Sequence, residues 1–186
     1  MANSSAPSRA KISRVRADLR SLATAQESYY IDWNSYTFKD TGDNPIGFYT
    51  EGFAQLTSPI AYMTSIPWDA FGEYDDVGVH RKPMLEMGTG DAGQYVQSGT
   101  PNNPQGMPSN TWMMRSTGPD RIDDTHVNSY PWPPSRIPHN QSGVAEVLTY
   151  IYDPTNGTVS FGDVYRVGGT KPVGEPWDVF FANSSK

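Results

Sequence analysis

The feature that most constrains this chain is an uninterrupted helical pattern near its start. Residues 9–36 read RAKISRVRADLRSLATAQESYYIDWNSY. Ile12, Val15, Leu19, Leu22, Gln26, Tyr29 and Trp33 follow one another at alternating spacings of three and four, which lines side chains up along one face of an α-helix. Gln26 is the single polar member of that stripe. No Pro or Gly falls between Arg9 and Trp33, so the pattern predicts a helix about 37 Å long at ~1.5 Å per residue. That is more helix than a chain of 186 residues needs. It is expected to act as a spine with the rest wrapped on its C-terminal half.

The charges on this helix are unevenly placed. Arg9, Lys11, Arg14, Arg16 and Arg20 crowd its first half against Asp18 alone. Cations are mildly unfavourable at the positive end of a helix dipole. Ser8 is a candidate cap, but cations massed just after a cap argue for a helix that begins further upstream. Residues 1–8 then read as a foreign, leader-like segment ahead of a spine at 9–36 and a head at 37–186. Net charge is −6 overall, with +4 on residues 9–20 and −10 on the remainder. A basic stem under an acidic head suits stem-to-head packing or contact with anionic headgroups. It opposes nucleic-acid binding.

Beyond the helix the chain is rich in turns, with 17 Gly and 16 Pro. Residues 37–55 read as a loop, and residues 54–57 as a helical turn before Pro59. Trp68 to Gly72 reads as a turn whose two aromatics pack on the spine. Short strands are expected at residues 77–81, 94–96 and 112–116, the last ending at the Gly118-Pro119 turn. Residues 144–152 are the clearest strand, rich in Val, Tyr, Ile and Leu. Asp153 to Gly157 is turn chemistry, and residues 158–167 return as the second strand of a hairpin with Gly162 at a bulge. Trp177, Val179, Phe180 and Phe181 mark a docked tail. The expected fold class is α+β, a long N-terminal α-helix packed on a small antiparallel sheet with long loops, all in one domain.

Four segments together resemble a known family. They are residues 9–37, then LTSPIAYMTSIPWDAFG (residues 56–72), WMMRSTGPDRIDD (112–124) and YDPTNGTVSFGDVYRVG (152–168). In this order they are similar to type IV pilin-like proteins, especially the pseudopilins of type II secretion. The resemblance implies a pilin-like head and a stem that continues, in the family, from an apolar membrane helix. That apolar half is absent from this sequence, so the chain corresponds to the soluble part. The family acts by assembly into a filament with further pilin-like subunits, driven by a membrane platform and an ATPase, and not by catalysis. On this reading Ile12, Val15, Leu19 and Leu22 face neighbouring stems, and Leu19→Asp blocks assembly. Tyr29, Tyr30 and Trp33 anchor the head. The head lies in the periplasm or outside the cell, and the full-length form is held in the inner membrane before assembly.

The strongest site candidate is residues 116–124, STGPDRIDD. Its three carboxylates follow a tight turn, and calcium takes six to eight oxygen ligands from carboxylates and carbonyls. The resemblance implies a calcium loop here, with Asp120 as the best match, Asp123 or Asp124 as a second carboxylate, and Ser116 as an oxygen donor. An acidic turn whose Asp residues cap backbone N–H groups fits the same residues. Glu73, Asp75 and Asp76 form a weaker acidic cluster, and Asp153 and Asp163 flank the expected hairpin.

No nucleophile or cofactor motif occurs. His80, His126 and His139 are isolated, with no HxH or HExxH spacing, and there is no Cys, which argues against zinc and removes thiol chemistry. Gly88-Thr89-Gly90 reads as ordinary loop. The aromatic, Pro-rich run around Tyr130 and Trp132 is a candidate binding loop. It supports the rival reading, an extracellular glycan- or protein-binding module of adhesin type.

Overall fold

The computed structural model describes residues 5–37, 53–72, 87–89, 110–121, 151–153, 155, 162–171 and 182. Helix α1 spans Ser5–Trp33, a 3₁₀ turn spans Phe53–Leu56, and three strands follow: β1 Met87–Thr89, β2 Thr111–Ser116 and β3 Val164–Gly169. The strands form an antiparallel sheet in the order β1-β2-β3. The fold class is α+β, with the long helix packed on this small sheet.

Helix α1 has 29 residues, about 43 Å at ~1.5 Å per residue. It starts upstream of Arg9, as its charge pattern required. Ser8 lies inside the helix and is not its cap, and Pro7 sits in the first turn, where a missing N–H costs no hydrogen bond. The helix ends at Asn34, whose backbone turns left-handed at φ 53° while its N–H donates to the Tyr30 carbonyl at 2.8 Å. Asn tolerates that conformation and commonly closes helices this way.

The predicted stripe is the buried face. Ile12, Val15, Leu19, Leu22 and Tyr29 join Phe53, Leu56, Phe71, Trp112, Met114, Tyr152 and Val164 in one core. Two expectations change here. The head reaches the N-terminal half of the helix as well as the C-terminal half, since Ile12 and Val15 are buried and Lys11 Nζ sits 5.5 Å from the centre of the Phe71 ring. And Ile12, Val15, Leu19 and Leu22 do not face neighbouring stems. They are 0–6% exposed in this chain alone, because the sheet and the Phe71 turn already cover the apolar stripe.

Trp33 is 51% exposed. It lies about five whole turns after buried Val15 at 3.6 residues per turn, so it points the same way; it is the last residue of α1, at the open end of the stripe. Gln26, the polar member, is fully buried and satisfied. Its Nε2 donates to Thr37 Oγ1 at 2.6 Å, and its Oε1 accepts the Thr37 N–H at 3.3 Å. That pair folds the chain back against the helix it has just left.

Strand β2 is buried along its whole length. Its alternate residues serve two faces. Trp112 and Met114 enter the helix-side core, while Met113 and Arg115 lie opposite Val167 and Tyr165 of β3 on the other face. Trp112 lies over Gly168, where an added Cβ would come 2.1 Å from the indole. The Trp112 indole N–H donates to Glu27 at 2.9 Å, and the Tyr36 hydroxyl donates to the same carboxylate at 3.1 Å. Burial, then Glu27, raises the Tyr36 phenol above its ordinary value.

The strand expectations divide. Residues 112–116 are a strand as read. Residues 77–81, 94–96 and 144–150 lie outside the described residues, as does most of the tail. Gly88 and Thr89 are not loop but part of β1, paired with Met113 and Trp112. Residues 164–169 pair with β2, and the expected hairpin partner at 144–150 lies outside the described residues. At the described end of that expected strand, Ile151 and Asp163 form an isolated parallel bridge. Gly162 is buried with φ 102°, and a Cβ there would strike the Ile151 carbonyl carbon at 2.7 Å.

Candidate functional site

The acidic turn begins where β2 ends. Ser116 is 1% exposed, and its hydroxyl lies 2.8 and 2.9 Å from the two carboxylate oxygens of Asp69. Asp69 also accepts the Phe71 N–H at 2.9 Å, so it closes its own turn and ties that turn to the sheet. Gly118 follows with φ 72°, and an added Cβ would meet the Gly162 carbonyl at 2.5 Å. The Arg121 N–H returns to the Gly118 carbonyl at 3.3 Å. Asp120 is half-buried on this turn.

This arrangement bears on the metal candidates. The Ser116 hydroxyl donates its hydrogen to Asp69. Asp123 and Asp124 lie outside the described residues. Among the described residues no three His, Cys, Asp or Glu side chains gather to hold a metal ion. Asp153 is a turn cap, accepting the Thr155 N–H and hydroxyl at 2.8 and 2.7 Å. Asp163 is different. It is fully buried and paired with Arg115 Nη1 at 2.8 Å, and the Tyr165 hydroxyl donates to it at 3.0 Å.

The second arrangement surrounds the C-terminal end of α1. Tyr29 and Trp33 stack with ring centres 5.8 Å apart, and Tyr62 meets Tyr29 edge-on at 5.5 Å. With Gln55, Ser58, Pro59 and Ile60 these rings line a cleft of about 320 Å³. A relay holds its rim. The Trp33 indole N–H donates to the Tyr62 hydroxyl at 3.0 Å, and that hydroxyl donates to Asp32 at 2.7 Å. The Tyr29 hydroxyl donates to the Gln55 side-chain oxygen at 3.3 Å. Desolvation raises the Tyr29 phenol, and desolvation with the bond to Asp32 raises that of Tyr62. Both therefore act as neutral hydroxyls. The sequence pattern makes Tyr29 and Trp33 head anchors. Tyr29 is one, and Trp33 is an exposed ring held in a fixed pose. The partners Tyr62 and Ile60 carried no sequence signal beyond local aromatic density. Tyr130 and Trp132 lie outside the described residues.

The third arrangement is the exposed back of α1. Arg9, Arg14, Arg20, Ala10, Ser13, Ala17, Ser21 and Thr24 face solvent. Ser21, Thr24 and Ser28 each donate to the carbonyl four residues earlier at 2.9–3.2 Å. Their hydroxyls are thereby folded against the backbone, leaving a shallow surface. Arg14 lies 3.5 Å from Asp18 across one turn. Among the described residues no helix is long and apolar enough to cross a membrane.

Compared with protein-family models, curated proteins and solved structures, the chain matches none.

Proposed function

We propose that the chain is the soluble part of a filament subunit of pseudopilin or type IV pilin-like type. The observation that carries this reading is the 29-residue unbroken helix, basic in its first half, packed along one face on a small antiparallel sheet. A head that uses one face of a long helix leaves the other face for neighbours. Heterologous contact between such faces propagates into an open helical filament. The neighbours are further copies and other pilin-like subunits, with a platform and an ATPase acting on them. The chain reaches the inner membrane only through an apolar segment ahead of this stem, and its head works in the periplasm or outside the cell.

Burial of Ile12, Val15, Leu19 and Leu22 moves the assembly surface to the exposed back, around Ala17, Ser21 and Thr24. The same reading puts a calcium ion at the β2 turn, held by Asp120 with Asp123 or Asp124 and by a carbonyl or hydroxyl oxygen of Ser116. The deciding experiment is the N-terminal sequence and intact mass of the mature protein from its source. A further apolar segment of about twenty residues ahead of Arg9 is expected. A mature chain that starts at Met1 overturns the reading.

A further inference from the structure

The cleft at the end of α1 has no part in assembly as proposed, and three of its features carry the same electrostatic sign. Tyr29, Trp33 and Tyr62 line it, and the faces of aromatic rings are electron-rich. Asp32 stands behind one of those rings, with a carboxylate oxygen 2.7 Å from the Tyr62 hydroxyl. A phenol that donates to a carboxylate gains electron density in its ring. The helix supplies the third feature. It ends at Trp33 with no basic residue in its last turn, so the partial negative charge of its terminal carbonyls adds to that of Asp32. Rings, carboxylate and helix end all favour a cation and disfavour an anion.

The polar groups of the cleft narrow the choice of cation. Gln55 accepts from the Tyr29 hydroxyl at 3.3 Å and makes a further interaction. The Tyr62 hydroxyl accepts from the Trp33 indole at 3.0 Å and donates to Asp32. These groups are already engaged within the protein. A primary ammonium or a guanidinium would shed water on entering and find its N–H groups short of acceptors, which is costly. A trimethylammonium group has no N–H to satisfy. Its charge is spread over methyl groups, which pack as apolar surface on Pro59 and Ile60 while the ring faces meet the charge. Trp33 is 51% exposed and Ile60 48% exposed, so solvent reaches the walls. The indole is nonetheless fixed twice, by stacking on Tyr29 and by its bond to Tyr62. Its ordering cost is met before any ligand arrives.

We infer that the cleft formed by Trp33, Tyr62, Pro59 and Ile60 binds a trimethylammonium group, carried by a free small molecule or by a lipid headgroup. The methyl groups rest on the rings, and Asp32 and the end of α1 supply the balancing charge from behind them. The volume, about 320 Å³, is at the small end of ligand pockets, which run from roughly 300 to 1,000 Å³, and suits a group the size of choline. This inference does not rest on the filament reading, since a binding module and a filament subunit would use the cleft alike.

The test is an NMR titration of the 186-residue chain with choline and with its neutral carbon analogue, which has a tert-butyl group in place of trimethylammonium. Choline is expected to shift the Trp33 indole N–H resonance and to bind at millimolar concentration, about tenfold more tightly than the neutral analogue. Trp33→Leu keeps apolar bulk but removes a ring, and should weaken choline about tenfold. Asp32→Asn, at an exposed site, keeps an acceptor for Tyr62 and removes only the charge. It should weaken choline about threefold, leave the neutral analogue unchanged and not lower the melting temperature. If Trp33→Leu lowers the melting temperature, Asp32→Asn decides. Co-sedimentation with phosphatidylcholine vesicles then separates the sources: a chain that binds choline and sediments takes the headgroup, and one that binds choline and stays in solution takes the free molecule. The inference is overturned if choline does not bind, if the neutral analogue binds as tightly, or if choline binding survives both substitutions. None of these outcomes touches the mass measurement that tests the filament.

Discussion

Arg115 and Asp163 form an ion pair at 2.8 Å, with the two side chains 3% and 0% exposed. Removing one partner from such a pair strands an uncompensated charge, which costs about 3–5 kcal/mol. Replacing both with apolar groups is often neutral or stabilising, because the desolvation cost disappears with the charges. The pair therefore predicts a change of sign across a mutant series. Asp163→Leu or Arg115→Met alone should each cost about 3–5 kcal/mol, a large share of the roughly 5–15 kcal/mol that holds a domain together. At about 2–4 °C per kcal/mol for a chain of this size, the melting temperature falls by roughly 6–20 °C. The double variant recovers much of that, but it leaves the Tyr165 hydroxyl, now 3.0 Å from Asp163, without that acceptor, at about 1–3 kcal/mol. Adding Tyr165→Phe should bring the triple variant to within about 1 kcal/mol of the parent or above it. The backbone bond from the Tyr152 N–H to the Asp163 carbonyl, 2.9 Å, is untouched throughout, so the series reads side chains only. The assay is urea denaturation with the slope held as a check on two-state behaviour. A single substitution that costs under about 1 kcal/mol would mean the pair is solvated. A triple variant as unstable as the singles would mean that the charges stabilise the fold in their own right.

Three further outcomes follow from the same geometry. Leu19→Ala, at a site 1% exposed, should cost about 2–5 kcal/mol in urea melts, whereas Thr24→Ala on the exposed back should stay within about 0.5 kcal/mol; equal effects would mean the helix faces are misassigned. The Tyr36 phenol is raised above 10 by burial and by Glu27, so its folded form holds the proton more tightly. Its contribution is then fully present below pH 10 and is lost as the pH climbs through the raised value. Stability should fall above pH 10 and fall less steeply in Tyr36→Phe, and identical alkaline slopes in the two proteins would refute this. Calcium should raise the melting temperature in proportion to the logarithm of its concentration, with EDTA reversing the rise and Asp120→Asn abolishing it; a melt unchanged by EDTA removes calcium from the turn.

The helix was legible because its signal is local and repeated. Seven stripe positions agreed, and the structure buries six of them, Gln26 included. The seventh, Trp33, is exposed because it is the last residue of the helix, at the open end of the stripe. The strand at 112–116 was legible from its apolar run and the Gly118-Pro119 stop. Its partner was not. Pairing is a long-range property, and nothing local in residues 111–116 says that Val164–Gly169 lies against them. The Gly88 strand was missed because one small residue gives no periodicity. At the candidate turn, the acidic run and the resemblance single out Ser116 and Asp120. Asp69 was not, since nothing in the sequence brings residue 69 to residue 116. For the same reason Asp163 read as a hairpin flank instead of a buried ion.

The buried stripe also fixes how association must be read in this molecule. An apolar face can pack against only one surface at a time, and here Phe53, Leu56, Phe71, Trp112, Met114 and Val164 occupy it. A substitution such as Leu19→Asp would then abolish assembly by unfolding the head, and its loss of filaments would say nothing about stem contacts. The informative position is Ala17, exposed on the opposite face and flanked by side chains whose hydroxyls fold back on the helix. Ala17→Glu should leave the urea midpoint unchanged, because Ala17 is exposed and nothing among the described residues packs there. If the proposed filament reading holds, it should still stop assembly. The two positions, two residues apart and on opposite sides of one helix, separate folding from assembly in a way that the sequence stripe alone had merged.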